Sequence, residues 1–204
     1  MLTKLKEKFQ KMLLAEAEAA HKIGLTPNMI SLVGIILAFL SAMAYMQWQT
    51  NTLYLFLATV LLLLSGFCDA LDGIIARTYQ KTTPFGGFLD SLLDRYADAI
   101  VYMGIILGGL CASLWGLIAL IGSLLVSYTR ARAEAAEIKM ESVGLAERAE
   151  RIIILAITTL IAFLWQSQTQ EIMNAGIILL AILSNLTVLQ RSLHVYKKLK
   201  FSGA

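Results

Sequence analysis

The sequence is short of the residues that make loops and cross-links. Proline occurs only twice in 204 residues, at Pro27 and Pro84, so little of the chain is loop. Cysteine also occurs twice, and Cys68 and Cys111 both lie inside apolar runs. That count and placement argue against a disulfide framework or a cysteine metal cluster, and the two thiols read as small buried side chains. Charge is sparse, at 15% of residues, and no basic soluble domain gathers it. The net charge of +3 therefore makes no case for nucleic acid. The N-terminal stretch MLTKLKEKFQKMLLAEAEAA is too charged and amphipathic for a cleaved signal peptide.

What the chain has in excess is apolar surface. It is 58% hydrophobic, with a mean hydropathy of +0.71, well beyond an ordinary soluble domain. Apolar runs at 29–48, 52–76, 85–109, 112–135, 150–167 and 171–190 each approach the roughly 20 residues a helix needs to cross a bilayer. The fold class expected is all-α, a polytopic membrane protein of six transmembrane helices. All 17 Lys and Arg residues fall on one side of this arrangement: before span one, between spans two and three, between four and five, and after six. The positive-inside rule then puts both termini on the cytoplasmic face of the cell membrane. A basic balance also suits a neighbour of anionic head groups.

Leu2, Leu5, Phe9, Met12, Leu13 and Leu14 recur near helical spacing, with Lys4, Lys6, Lys8 and Lys11 between them. This predicts an amphipathic helix over 1–22 lying in the membrane interface, with a solvated or partner-binding helix as the alternative. Gly24 suits its C-cap, and Thr26-Pro27 suits the start of the next helix. The six-helix body is placed at 23–196 and a basic tail at 197–204.

The stretch CDALDGIIARTYQKTTPFGGFLDSLLDRYAD, residues 68–98, sets acidic side chains where helices meet lipid. Asp69 and Asp72 are three apart and share a helix face. Gly73 would let a phosphate or ribose approach the backbone, Ala76 keeps that face open, and Arg77 can make a forked contact with phosphate. Asp90, Asp94 and Asp98 form one stripe at intervals of four, and Gly86 clears space one turn earlier. Carboxylates so close need a cation, and hard oxygens suit Mg²⁺ or Mn²⁺, which in turn suits a pyrophosphate substrate. The bland alternative is interfacial aspartates paired with Arg77 and Arg95. Carboxylates within membrane segments are costly and commonly functional, which favours the site. Asp98 lies outside the core of the pattern and could simply pair with Arg95 or another basic neighbour.

The series Asp69-x2-Asp72-Gly73-x2-Ala76-Arg77-x8-Gly86-x3-Asp90-x3-Asp94 resembles the signature of the CDP-alcohol phosphatidyltransferases, with no position missing. The resemblance implies an enzyme of phospholipid biosynthesis that joins a CDP-activated membrane lipid to an alcohol and releases CMP. It implies a homodimer with a polar cavity open to the cytoplasm. Asp69, Asp72, Asp90 and Asp94 would hold two divalent ions, Mg²⁺ or Mn²⁺, with Asp72 contributing less through its side chain. Asp94 would also be the general base. Asn28, Asp69, Asp72, Gly73, Ala76, Arg77 and Gly86 would line the CDP site.

The acceptor is read from a second constellation. Arg130 and Arg132 end span four, Arg148 and Arg151 begin span five, and Arg191 and His194 close span six. Guanidinium groups converging on one cavity suit a second anion such as a phosphorylated polyol, while juxtamembrane anchoring is the alternative. Lys197, Lys198 and Lys200 fit the anchoring alternative, and His194 reads as interfacial. SYTRARAE, GLAERAER and LQRSLHVY resemble the branch of the family that uses inositol 1-phosphate, the phosphatidylinositol-phosphate synthases and their archaeal archaetidylinositol counterparts. In that branch Ser127, Arg130, Arg132, Arg148 and Arg191 would hold the acceptor phosphate, although lysine often stands where this chain has Arg130. Glycerol 3-phosphate is the rival acceptor, as in a phosphatidylglycerophosphate synthase; serine fits the arginines less well. From another class, a small cation transporter could carry intramembrane carboxylates, but would place them nearer the bilayer centre. Gly104 and Gly108 allow a close helix contact, within one bundle or between subunits.

Overall fold

The computed structural model describes residues 14, 16–20, 22–140 and 143–202. Among them every regular element is helical. The helices are α1 (Pro27–Met46), α2 (Leu53–Thr78), α3 (Pro84–Leu107), α4 (Ser113–Glu134), α5 (Arg148–Leu164) and α6 (Thr169–Ser202), with a 3-10 turn at Gln166–Gln168. They fall where the six apolar runs lie. Four of them, α1, α2, α4 and α6, have the length and apolarity to cross a membrane. The other two depart for visible reasons: α3 carries Asp90, Asp94 and Arg95 in its first half and Asp98 just past its middle, and α5 has 17 residues.

Helix boundaries follow local chemistry. Thr26 caps α1 by accepting from the Met29 N–H, with Pro27 at the first helical position. Thr83 and Pro84 repeat that arrangement at α3, where Thr83 Oγ1 accepts from the Gly86 N–H at 2.9 Å. Gly24 takes φ +84, and the Leu25 N–H reaches back to the Ala20 carbonyl at 3.1 Å, closing the helical residues before it as expected. Ala17 and Ala20 of that segment pack with Ile30, Leu71 and Ile75. The interfacial reading of residues 1–22 rests chiefly on Leu2, Leu5, Phe9, Met12 and Leu13, which lie outside the described residues. At the other end, α6 continues through Lys197, Lys198 and Lys200 instead of stopping near 190. Hydropathy ends there, but no proline or glycine stands between 190 and 202 to interrupt the backbone ladder.

The helices approach closely where side chains are small. α1 lies on α2 and α3, α2 on α5, α3 on α4, and α6 on α4 and α5. A Cβ on Gly104 would stand 2.6 Å from the Ala42 carbonyl oxygen, and one on Gly108 would stand 2.4 Å from that of Tyr45. This glycine pair therefore serves α1–α3 packing within the bundle and gives no support to a subunit contact. Ser41 donates to the Ala58 carbonyl and Ser65 to the Gly34 carbonyl, both at 2.8 Å, fastening α1 to α2. Tyr45, Leu55, Ile105, Leu110, Met173, Ile177 and Leu180 form the centre of the core. Cys111 is buried there, and both cysteines are unbridged. Outward, α1 exposes Leu32, Ile36, Phe39 and Met43, a stripe suited to lipid.

The chain threads back and forth, so alternate loops gather at each end. At one end Trp48 donates to the Gly108 carbonyl at 2.7 Å, and the Asn174 side chain accepts from the Ala112 N–H at 2.9 Å. The other end collects the starts of α1, α3 and α5 and the end of α2, and the polar residues lie there.

Candidate active site

Asp69 and Asp72 come from the last turns of α2, and Asp90 and Asp94 from the early turns of α3. Their helical spacing turns each pair inward. Carboxylate oxygens of Asp69, Asp72 and Asp90 lie within 4.8 Å of one another. With Asp94, Ser31, Gly34 and Arg148 they line a cavity of about 240 Å³. Asp72 is only 3% exposed, and Ser31 donates a short hydrogen bond to its Oδ2. Ser31 itself reaches from the first turn of α1, where it also donates to the Pro27 carbonyl at 3.2 Å. Clustered hard anionic oxygens, one of them already oriented by a hydroxyl, fit a divalent cation of the Mg²⁺ or Mn²⁺ kind.

A second cavity, of about 590 Å³, opens from the first and shares Ser31, Asp72 and Asp90 with it. Asn28, Gly73, Ala76, Arg77 and Gly86 all line it, so with Asp72 these residues expected at the nucleotide site come together, whereas Asp69 lines only the first cavity. The glycines have visible reasons. A Cβ on Gly73 would meet the Arg77 guanidinium at 3.4 Å, so Arg77 folds over the bare backbone one turn before it. A Cβ on Gly86 would stand 2.9 Å from Thr83 Oγ1, the cap of α3, and 3.5 Å from Asn28 Oδ1.

The expected acceptor residues do not converge on one cavity. Arg148, at the first position of α5, points into the carboxylate cluster. Its Nη1 lies 2.8 Å from Asp69 Oδ2 and 2.7 Å from Asp94 Oδ1, and its Nε donates to Asp98 Oδ1 at 3.2 Å. The Nη1 contacts are ion pairs without an N–H aligned on either oxygen. Arg191 is 2% exposed and works as a clamp. Its Nε donates to the Val143 carbonyl at 2.8 Å, its Nη1 to the Val126 carbonyl at 2.6 Å, and its Nη2 to Glu147 Oε1 at 3.2 Å. These bonds fix the connection before α5 against α4 and α6. Arg130 is exposed and pairs with Glu134 at 2.9 Å, one turn along α4. Arg132 lines a separate groove of about 870 Å³ between α4 and α6, with Tyr128, Arg191, Ser192 and Tyr196. Ser127 is half-buried on α4.

Asp98 does pair with basic neighbours, but these are Arg148 and Arg151. Arg95 instead donates to the Ser91 carbonyl and stands 3.8 Å from Asp94. Two residues of this region escaped sequence reading. Ser31 stands one turn after Asn28, and Ser123 one turn before Ser127. Both signals are only a hydroxyl at helical spacing from a site residue, which many serines share.

An all-helical bundle with membrane-length apolar helices, whose carboxylate cluster adjoins a groove lined by glycines and an arginine, is the form of a phosphate-transferring membrane enzyme. The family model "CDP-alcohol phosphatidyltransferase" matches residues 24–188, and the chain belongs to that family. It is 43% identical over 181 residues to the archaetidylinositol phosphate synthase of Methanothermobacter thermautotrophicus, covering 89% of this chain and 88% of the relative. It is 38% identical over 201 residues to the enzyme of the same name from Pyrococcus horikoshii, covering 98% and 99%. Among solved structures it is similar to Mycobacterium tuberculosis phosphatidylinositol phosphate synthase (PgsA1) with CDP-DAG bound, with TM-score 0.77, 27% identity, and 91% of this chain and 94% of that one covered. The same enzyme in complex with manganese and citrate gives TM-score 0.76 at 28% identity, covering 90% and 88%. Family membership sets the transporter reading aside.

Proposed function

We propose that this enzyme transfers the phosphatidyl or archaetidyl group of a CDP-activated lipid to inositol 1-phosphate, with release of CMP. The observation that carries the reading is the carboxylate cluster of Asp69, Asp72, Asp90 and Asp94 opening into the groove of Asn28, Gly73, Ala76, Arg77 and Gly86. The two archaetidylinositol phosphate synthases, alike over almost their full length, favour inositol 1-phosphate over glycerol 3-phosphate and an archaetidyl lipid over a diacyl one.

In this reading the nucleotide lies against Gly73 and Gly86, where no side chain blocks it, and Arg77 grips a phosphate through its fork. Asp69, Asp72, Asp90 and Asp94 would hold two Mg²⁺ or Mn²⁺ ions, which when bound neutralise the pyrophosphate and the leaving CMP. Asp94 takes the proton of the acceptor hydroxyl as its oxygen attacks the phosphorus that bears the lipid. The new P–O bond forms on that phosphorus, and the bond to the CMP oxygen breaks. Arg148, beside Asp94, holds the acceptor phosphate; Arg191 clamps the connection before α5, and Arg132, Arg130 and Ser127 lie outside the carboxylate cavity. All six helices span the membrane, with the site and both termini cytoplasmic, and the enzyme works as a homodimer.

The test is CMP release by purified protein with Mg²⁺ or Mn²⁺, using CDP-archaeol and CDP-diacylglycerol against inositol 1-phosphate, free inositol, glycerol 3-phosphate and serine. Turnover restricted to inositol 1-phosphate supports the proposal. Turnover restricted to glycerol 3-phosphate makes the enzyme a phosphatidylglycerophosphate synthase, and none with any acceptor rejects both.

A further inference from the structure

Asp98 belongs to neither the carboxylate cluster nor the nucleotide groove, yet it is where α3, α4 and α5 meet. Its Oδ1 accepts from Arg148 Nε at 3.2 Å, and its Oδ2 accepts from Arg151 Nη2 at 2.9 Å and from Ser123 Oγ at 2.8 Å. Ser123 is fully buried and Arg151 nearly so. A carboxylate this enclosed needs partners, and a simple tie between helices would already account for three.

The arrangement does more than tie helices. Arg151 is used up locally, since its Nη1 also donates to the Ala146 carbonyl at 3.2 Å. Asp98 holds Arg148 by its Nε edge, and the Nη1 end points away from Asp98 to pair with Asp69 and Asp94. There Nη1 is buried and pairs by charge with both carboxylates without an N–H aligned on either, so a phosphate oxygen that meets those N–H bonds squarely can compete for them. An arginine cannot shed its charge, so its direction is its only adjustable property, and Asp98 sets that direction.

We propose that Asp98 is a positioning residue for the acceptor: it anchors Arg148 so that the guanidinium presents its Nη donors to a phosphate arriving beside Asp94. The inference rests on the reading of Arg148 as the acceptor-phosphate residue, and it holds for any phosphorylated acceptor. The amide of Asp98→Asn keeps the shape but removes the charge that faces both arginines. Ser123→Ala is the milder variant, removing one hydrogen bond to the same carboxylate.

The test is steady-state kinetics with each substrate varied in turn, together with thermal unfolding of the metal-loaded protein in detergent, with and without inorganic phosphate. The expected result for Asp98→Asn is a rise of about tenfold or more in acceptor KM, with the CDP-lipid KM within about twofold. Phosphate should raise the Tm of the parent and not of this variant. Ser123→Ala should shift acceptor KM in the same direction by about two- to threefold. A fall in kcat and Tm with both KM values unchanged would make Asp98 a helix tie and overturn the proposal. So would a parent whose Tm phosphate does not raise. If Asp98→Asn fails to fold, an unchanged acceptor KM in Ser123→Ala overturns it. Failure of the function itself is separately visible as a parent that turns over no phosphorylated acceptor; protection by phosphate then still decides the role of Asp98.

Discussion

Arg148 Nη1 stands 2.7 Å from Asp94 Oδ1, so the head of α5 reaches into the α2–α3 carboxylate site. The pair joins the carboxylate proposed as general base to a group that is always charged. It also brings one of the expected acceptor residues, Arg148, to the expected metal ligands.

Asp94→Asn should retain CDP-lipid binding and lose transfer, because an amide cannot accept the hydroxyl proton. General acid–base catalysis contributes about 10²–10⁴-fold, so turnover should fall by at least about a hundredfold. The checks are CDP-lipid binding and CMP release on the same preparation. Turnover near the parent's, with the cation still bound, would remove Asp94 from the role.

Chelation should silence the parent with every acceptor, and Mn²⁺ should restore it. Asp69→Ala and Asp90→Ala should be silent with or without added Mn²⁺, since each removes an oxygen from the group within 4.8 Å. Titration of Mn²⁺ into each variant gives an independent readout of lost affinity. Full activity after thorough chelation would contradict the assignment.

Gly104→Val should destabilise the bundle without altering substrate specificity. Its Cβ would press on Ala42 backbone 2.6 Å away, and overpacking of this kind costs about 1–3 kcal/mol. Gly87→Ala, where nothing lies within 4 Å, is the stability control and should leave Tm unchanged or slightly raised. Equal Tm for both variants would mean that α1 and α3 do not pack through Gly104.

The aspartate site was legible because its information is local: intervals of three and four on two helices fix which side chains share a face, whatever the rest of the chain does. The Thr-Pro start of α1 and Gly24 were legible for the same reason. The arginines were not, because their directions are set by the connection between α4 and α5. Arg191 looked like a ligand group in sequence, but Val143, Val126 and Glu147 take its donors. Hydropathy likewise located six apolar runs but could not say that Gly104 and Gly108 face α1 within the bundle.

The arginines supply the last prediction, because the structure separates two that the sequence placed together. Arg148 opens onto the carboxylate cavity, whereas Arg132 lines the α4–α6 groove. Losing a charged hydrogen bond costs about 1.5–3 kcal/mol, so Arg148→Gln should raise acceptor KM by about tenfold to a hundredfold. The KM for CDP-lipid should hardly move. Arg148→Lys should rescue only in part, since it keeps the charge but loses the planar fork. Arg132→Gln should leave both KM values within about twofold, as befits an exposed group outside the site. Steady-state kinetics with each substrate varied in turn decides among the outcomes. If Arg132→Gln raises acceptor KM and Arg148→Gln does not, the acceptor phosphate sits in the α4–α6 groove. If Arg148→Gln weakens CDP-lipid binding and spares the acceptor, Arg148 belongs to the pyrophosphate, and the acceptor must approach Asp94 from another side.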